Sequence, residues 1–221
     1  TVPSAQVKSA ILLAGLRAEG RTTVRETVAT RDHTERMLRA RGVAVERGIA
    51  EDGRVTWSVE GGTGVRAVEE RVPGDISAAA FWLVAGAAHP DAELSLVDVG
   101  VNPTRRAVID LLRRMGASIE EHAADDGAQP GGDVGEPRAD LVVRSSELRG
   151  IELDPTDVAA AIDEIPILCL AACVAQGVTT IRGAGELRHK ESDRIAGVTA
   201  GLASLGARVE VDGDDLRIEG G

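Results

Sequence analysis

One phrase recurs three times in this 221-residue chain: Arg39-Ala40-Arg41-Gly42-Val43-Ala44-Val45-Glu46, Arg113-Arg114-Met115-Gly116-Ala117-Ser118-Ile119-Glu120 and Ala203-Ser204-Leu205-Gly206-Ala207-Arg208-Val209-Glu210. In each copy an amphipathic helix runs up to a glycine, the residue suited to the left-handed conformation that closes a helix. An alternating strand starts directly after it, and a second strand follows at Val55 to Val59, Asp140 to Val143 and Leu216 to Ile218. Upstream the match continues. Alanine-rich apolar helices at Ser9 to Leu16, Ala78 to Ala88 and Ile165 to Ala175 each lead into a strand, at Thr22 to Glu26, Glu93 to Val97 and Thr179 to Arg182. A fixed-period pattern of this kind marks a supersecondary unit that buries its apolar face by stacking on its copies. The expected fold is therefore α/β, with three units of helix-strand-helix-strand-strand and a further strand leading into the first helix. Parallel pairing is expected across the helical crossovers, with one antiparallel hairpin strand. The units are placed at 1–67, 68–149 and 150–221, the last two grouped as 68–221. Glu121 to Arg138, with Gly131-Gly132, reads as a long hairpin loop.

The polar loop before the second helix differs between copies. It reads Thr30-Arg31-Asp32-His33 in the first and Gly100-Val101-Asn102-Pro103-Thr104-Arg105 in the second. In the third it reads Glu186-Leu187-Arg188-His189-Lys190-Glu191-Ser192-Asp193-Arg194. Asp32 with Glu35 fits a capping box, and Asn102-Pro103 places a cap before a proline in the first turn. Arginine at a helix N-terminus opposes the helix dipole, and a bound anion at that end would offset the opposition. Lys190 and Arg194, four apart, share a face if a helix begins there.

Only Lys8 and Lys190 among the 25 basic residues are lysines. Each sits in a dense polar motif, where a compact ammonium can shift its pKa or move a proton as a guanidinium cannot. Asp163-Glu164 places two carboxylates at the mouth of an apolar helix. Their ordinary reading is an acidic helix start, as Ser4 is an ordinary N-cap.

A net charge of -11 disfavours a nucleic-acid backbone as partner, and the near absence of aromatics disfavours base-stacking platforms. A small anionic substrate in a locally positive cleft remains compatible with an acidic protein. No stretch approaches the ~20 apolar residues of a membrane span, and no basic-then-apolar leader opens the chain, so a cytoplasmic location is expected. Cys169 and Cys173, four apart in an apolar pattern, read as buried thiols on one helix face. His33, His89, His122 and His189 lack metal-ligand spacing, and neither a metal nor a cofactor is expected.

Five motifs occur together in one order: Ser4-Ala5-Gln6-Val7-Lys8-Ser9, Thr30-Arg31-Asp32-His33-Thr34-Glu35, Asn102-Pro103-Thr104-Arg105, Asp163-Glu164-Ile165-Pro166 and Leu187 to Arg194. The set resembles the 5-enolpyruvylshikimate-3-phosphate synthase (3-phosphoshikimate 1-carboxyvinyltransferase) family along the whole chain. The resemblance implies two lobes, each of three α/β units about a pseudo-threefold axis. It also implies transfer of the enolpyruvyl group of phosphoenolpyruvate to the 5-hydroxyl of shikimate 3-phosphate, with no cofactor. It assigns Ser4, Ala5, Gln6, Arg31, Asp163 and Lys190 to shikimate 3-phosphate. Gln6, Lys190, Glu191 and Arg194 go to phosphoenolpyruvate, and Asp163, Glu191 and Lys190 to proton transfer. The partners implied are these small anions, with neither nucleic acid nor membrane, and the full-length parent is expected to be a monomer.

The family's N-terminal lysine loop, its Asn-Ser-Gly-Thr segment and its C-terminal Asp-His-Arg segment have no counterpart in these residues. The expectation is a chain carrying about half of the cleft, inactive or feeble alone and able to self-associate. The alternatives are a UDP-N-acetylglucosamine enolpyruvyl transferase-like enzyme, whose reactive cysteine lies in a loop upstream, and a non-catalytic binding or assembly fragment.

Overall fold

The computed structural model describes residues 4–123 and 134–221. These fall into two compact units, one within Thr1–Val72 and Gly131–Pro137 and the other within Pro73–Pro130 and Arg138–Gly221.

The first unit holds one repeat: α1 (Ala5–Gly15), β1 (Arg21–Arg25), α2 (His33–Ala40), β2 (Glu46–Ile49) and β3 (Val55–Glu60). The second unit holds two. Its first repeat runs α3 (Ile76–Ala88), β4 (Glu93–Gly100), α4 (Ala107–Arg114), β5 (Ser118–Ala123) and β6 (Arg138–Arg144). Its other repeat adds a leading strand: β7 (Glu152–Leu153), α5 (Pro155–Ala160), α6 (Ile165–Val174) and β8 (Gly177–Ile181). A short 3-10 helix (Ala184–His189), α7 (Arg194–Ser204), β9 (Arg208–Asp212) and β10 (Asp215–Gly220) complete it.

The three repeat glycines do what their positions demand. Gly42, Gly116 and Gly206 have φ of 81°, 99° and 91°, the left-handed region in which a Cβ is costly. Each stands between helix and strand, which begins two residues after Gly116 and Gly206 and four residues after Gly42.

Strand pairing differs from the sequence expectation. The sheets are ordered β1-β3-β2, β4-β6-β5 and β7-β8-β10-β9. In every repeat the last strand lies between the other two and is antiparallel to both. The strands flanking the second helix are thus parallel in direction but never adjacent. The cause is the hairpin: the last strand folds back tightly on its predecessor and occupies the slot that the crossover would otherwise have filled. Among the described residues, parallel pairing survives where a strand leads into the first helix, at β7 with β8 and at isolated Gly74–Val99 and Arg149–Gln176 bridges. The β5–β6 hairpin is paired from Ser118↔Arg144 to Ala123↔Ala139, so Glu121 to Ala123 belong to a strand. The stretch expected as its loop falls largely on 124–133, outside the described residues.

Two aliphatic cores form. Leu12, Leu16, Leu38, Val43, Val45, Trp57 and Val59 pack in the first unit. In the second unit a single cluster runs from Leu83 and Ile109 to Ile165, Leu187 and Ile218, so its two repeats share one core.

Candidate functional site

In the first unit the polar residues gather where α1 meets the loop before α2. Ser4 caps α1, its Oγ accepting from the Val7 N–H at 3.3 Å, which sets Ala5 and Gln6 in the first turn. Ser9 Oγ lies 2.7 Å from Thr34 Oγ1 and ties α1 to α2. Beneath this surface Lys8 is buried. Its Nζ lies 2.7 Å from Glu35 Oε1, 3.2 Å from Glu26 Oε1 and 5.4 Å from the Trp57 ring centroid. Trp57 Nε1 donates to Glu26 Oε2 at 2.7 Å, and the Thr30 N–H donates to Glu26 Oε1 at 3.2 Å. This network folds the 26–32 loop against α1. It leaves Gln6, Arg31, His33 and Thr34 around a cavity of about 450 Å³, with Ala5, Ser9, Ala10 and Leu13 completing the wall.

Two expectations change here. Lys8, singled out with Lys190 as an ammonium in a dense polar motif, is an interior cation remote from solvent. The Asp32–Glu35 capping box does not form, because Glu35 turns inward to Lys8 and Asp32 receives Arg36 Nε at 2.9 Å instead. An interior ammonium outcompetes a backbone N–H that water can satisfy.

In the second unit the polar cluster lies where four helices, α3, α4, α6 and α7, begin. Asn102 Oδ1 accepts from the Thr104 N–H at 2.8 Å and from its hydroxyl at 2.7 Å. This closes a turn around Pro103 and leaves α4 to start at Ala107, later than the expected cap implies. The turn sends Arg105 inward. Asp163 and Glu164 end the turn before α6, and Ser77 opens α3. Asp163 Oδ2 lies 3.5 Å from Arg105 Nη1, and its Oδ1 lies 3.6 Å from Arg194 Nη1. Glu164, fully buried, takes Arg105 Nη2 at 3.1 Å and the Ser77 hydroxyl at 2.5 Å.

Arg194 is the first residue of α7, where the helix dipole disfavours a cation. Two devices offset this. Asp193 caps the helix by accepting from the Ala196 N–H at 3.0 Å, and Arg194 grips Glu191 through Nε and Nη2, both at 3.0 Å. Hydrogen bonding to its own backbone N–H, followed by the contact with Arg194, holds the Glu191 carboxyl below the usual carboxylate range. Lys190 precedes the helix in extended backbone, so it shares no helical face with Arg194, and its Nζ lies 3.3 Å from Glu186 Oε1.

The structure therefore brings Ala5, Gln6 and Arg31 together around one cavity, with Ser4 capping the same helix. It also brings Asp163, Glu191 and Arg194 into one chain of ion pairs, while the Lys190 ammonium faces Glu186. Sequence reasoning missed the buried Arg105–Glu164–Ser77 set. The Asn-Pro-Thr-Arg turn was its one available signal. Cys169 and Cys173 are free thiols on α6, and burial pushes Cys169 up to about 12, a poor nucleophile at neutral pH. Among the described residues no group of three His, Cys, Asp or Glu side chains could hold a metal ion. No described helix is long and apolar enough to cross a membrane.

Comparison with known proteins bears on the family of the chain. The model of the EPSP synthase (3-phosphoshikimate 1-carboxyvinyltransferase) family matches residues 1–221. The 3-phosphoshikimate 1-carboxyvinyltransferase of Gloeobacter violaceus is 53% identical over 220 residues, covering 100% of this chain and 48% of that protein. The Rhodospirillum rubrum protein of the same name is 50% identical over 219 residues, covering 99% and 47%. An EPSP synthase structure from Acinetobacter baumannii superposes with a TM-score of 0.86 at 45% identity, over 98% of this chain and 46% of that one. The enolpyruvyl transferase NikO from Streptomyces tendae gives 0.66 at 25% identity, over 95% and 45%. The chain spans about half the length of the curated relatives it matches. With the repeat architecture, the arginine-bearing helix starts and a match along its whole length, the chain belongs to the EPSP synthase family.

Proposed function

We propose that this chain supplies part of the active site of an enzyme that transfers the enolpyruvyl group of phosphoenolpyruvate to the 5-hydroxyl of shikimate 3-phosphate. The observation carrying this reading is Asp163, a carboxylate held between Arg105 and Arg194 within reach of Glu191's partner cation. Such a group can accept a hydroxyl proton in a setting already arranged for anions.

In the first step the 5-hydroxyl oxygen forms a bond to C2 of phosphoenolpyruvate, its proton passes to Asp163, and C3 gains a proton to become a methyl group. In the second step C3 loses a proton, the C2–O bond to phosphate breaks, and phosphate departs. Glu191, held ionised, suits removal of the methyl proton, and the Lys190 ammonium suits its delivery. Arg194 takes a carboxylate or phosphate of phosphoenolpyruvate, with Gln6, Lys190 and Glu191 beside it. Ser4, Ala5, Gln6, Arg31, Asp163 and Lys190 hold shikimate 3-phosphate. Fixed cations serve best where they match the charge of the tetrahedral intermediate. Both substrates are phosphorylated metabolites, which suits the cytoplasm. The high pKa of Cys169 argues against an enolpyruvyl transfer that relies on a cysteine of this chain.

The test is a chimera in which this chain replaces the matched half of the Rhodospirillum rubrum relative. Phosphate release requiring both substrates is expected, and Lys190→Ala or Arg194→Ala should lower it at least about a hundredfold, the usual scale for a preorganised charge. A soluble, folded chimera that releases no phosphate, or variants reduced less than a few-fold, would sink the assignment.

A further inference from the structure

We propose that Arg105 is a positioning residue for Asp163: the fixed half of a two-cation clamp whose other half, Arg194, can exchange Asp163 for a bound anion. The two guanidinium groups approach opposite oxygens of one carboxylate, Arg105 Nη1 at 3.5 Å from Oδ2 and Arg194 Nη1 at 3.6 Å from Oδ1. They are held very differently. The Arg105 side chain is 10% exposed, and its Nη2 donates to Ser77 Oγ at 2.5 Å and to Glu164 Oε1 at 3.1 Å. Ser77 donates in turn to that same Glu164 oxygen at 2.5 Å. Glu164 is 1% exposed, and its Oε2 has no partner among the described residues. Withdrawing Arg105 would leave a buried carboxylate uncompensated, so the arginine is anchored by the cost of that separation.

Arg194 has no such anchor. Its side chain is 24% exposed, and its other carboxylate partner, Glu191, is 69% exposed. Exposed ion pairs of this kind are weak, and a phosphate or carboxylate offers the guanidinium an equivalent bidentate contact.

The functional consequence rests on the reading of Asp163 as the base. Anionic substrates beside a carboxylate push it toward its protonated, non-basic form. The charged groups around Asp163 among the described residues include Arg105 ahead of α4, Arg194 on α7, Glu164 beside it at the mouth of α6, and Glu191 through Arg194. When Arg194 turns to a substrate anion, Oδ1 is released to meet the hydroxyl proton. Arg105 stays on Oδ2, keeping the carboxylate ionised and its orientation fixed. One arginine thus recognises and the other positions, and the sequence context separates them: Arg105 follows a closed Asn-Pro-Thr turn, whereas Arg194 opens a helix.

NMR on the 221-residue chain tests this without relying on turnover. The Asp163 carboxyl carbon is titrated in the parent chain, in Glu164→Gln and in Arg105→Gln/Glu164→Gln. The double variant removes the buried cation together with its buried anion, so no uncompensated charge remains. The midpoint is expected to rise in the double variant relative to Glu164→Gln. An unchanged midpoint overturns the proposal.

A second measurement uses the unmodified protein and does not depend on any variant folding. The guanidinium Nε–H of Arg105 should exchange with solvent at least tenfold more slowly than that of Arg194. Added inorganic phosphate should shift the Arg194 signal and leave that of Arg105 in place. Equal exchange rates, or equal response to phosphate, overturn the division of roles. If the midpoint follows Arg105 while the chimera above proves inactive, the clamp stands and the functional reading falls.

Discussion

At the residue scale the chain uses its two lysines for opposite purposes. Lys190 is partly exposed and faces a surface glutamate, while Lys8 sits in the first unit's interior between Glu35 and Glu26. One ammonium therefore serves two buried carboxylates. Glu26 has further donors in Trp57 and Thr30, but Glu35 Oε2 has no hydrogen-bond partner among the described residues. Removing the cation should cost far more than removing a surface lysine. Lys8→Met is expected to destabilise the first unit by about 3–5 kcal/mol, the scale for breaking a buried pair from one side. Adding Glu35→Gln should return at least half of that loss, because the worst-compensated carboxylate goes with it. Urea unfolding followed by tryptophan fluorescence reports the change, since Trp57 lies 5.4 Å from the ammonium. A loss below about 1 kcal/mol would show that water or side-chain rearrangement satisfies the site, contrary to this account.

The sequence marked its polar motifs more clearly than what surrounds them. Glu191 and Arg194 stand out by motif, Asp163 reads as an ordinary acidic helix start, and the fold brings the three together. Lys8 stands out equally, yet its role is interior, because spacing cannot say which face of α1 turns inward. Glu164 and Arg105 are legible as charges but not as a buried pair, since their partnership joins positions 59 residues apart.

At the scale of elements, what each repeat encodes locally was readable and what it encodes between strands was not. The glycine that ends the second helix and the alternation after it are short-range signals, governed by one residue's φ and by a two-residue period. Strand order depends on which neighbour fills a gap, and the antiparallel last strand takes the central place in all three sheets. The second unit also carries a clamp that joins helix to strand. Glu121 on β5 receives Arg106 Nη1 at 2.8 Å, and Arg113 Nη1 on α4 lies 2.7 Å from it. Partial burial alone would raise the Glu121 carboxyl, but hydrogen bonds from Arg106 and then Arg113 outweigh it and leave the group below the usual carboxylate range. A carboxylate with a depressed folded-state pKa contributes stability above its unfolded value and loses it as the pH falls through the folded one. The α4–β5 contact is therefore expected to weaken in acid, below the ordinary range for glutamate, and to be unaffected near neutrality. In Glu121→Gln the acid-dependent drop in melting temperature should be shallower than in the parent chain. Parallel curves would mean that other carboxylates carry the acid response.

At the scale of the whole molecule, the distribution of aromatic residues is the telling feature. The chain contains one Phe and two Trp, and two of these three lie side by side on α3 with most of their surface in solvent, Phe81 at 61% and Trp82 at 60%. The core of that unit is aliphatic, so these rings are not spared from packing by any shortage of space that aromatics would fill. Leu170 and Val174 on α6 are also exposed, at 40% and 51%. Large apolar groups left in solvent on two helices favour association, because each aromatic side chain buries about 150–250 Å² when covered. The net charge of -11 opposes that tendency. Its repulsion acts over roughly a Debye length, about 10 Å at 0.1 M salt and 3 Å at 1 M. The balance should therefore shift with ionic strength. Light scattering on the eluting chain is expected to show a mass near 23.0 kDa at low salt and a growing larger species as salt and protein concentration rise. Phe81→Ser with Trp82→Ser should abolish the salt-induced species while leaving the melting temperature within a few degrees, since neither ring is part of the buried core. A doubly substituted chain that still associates at high salt would place the contact on another face, α6 and the rim beside it being next to examine. A parent chain that stays monomeric even at high salt, where its charge is screened, would mean that the exposed α3 face does not drive self-association.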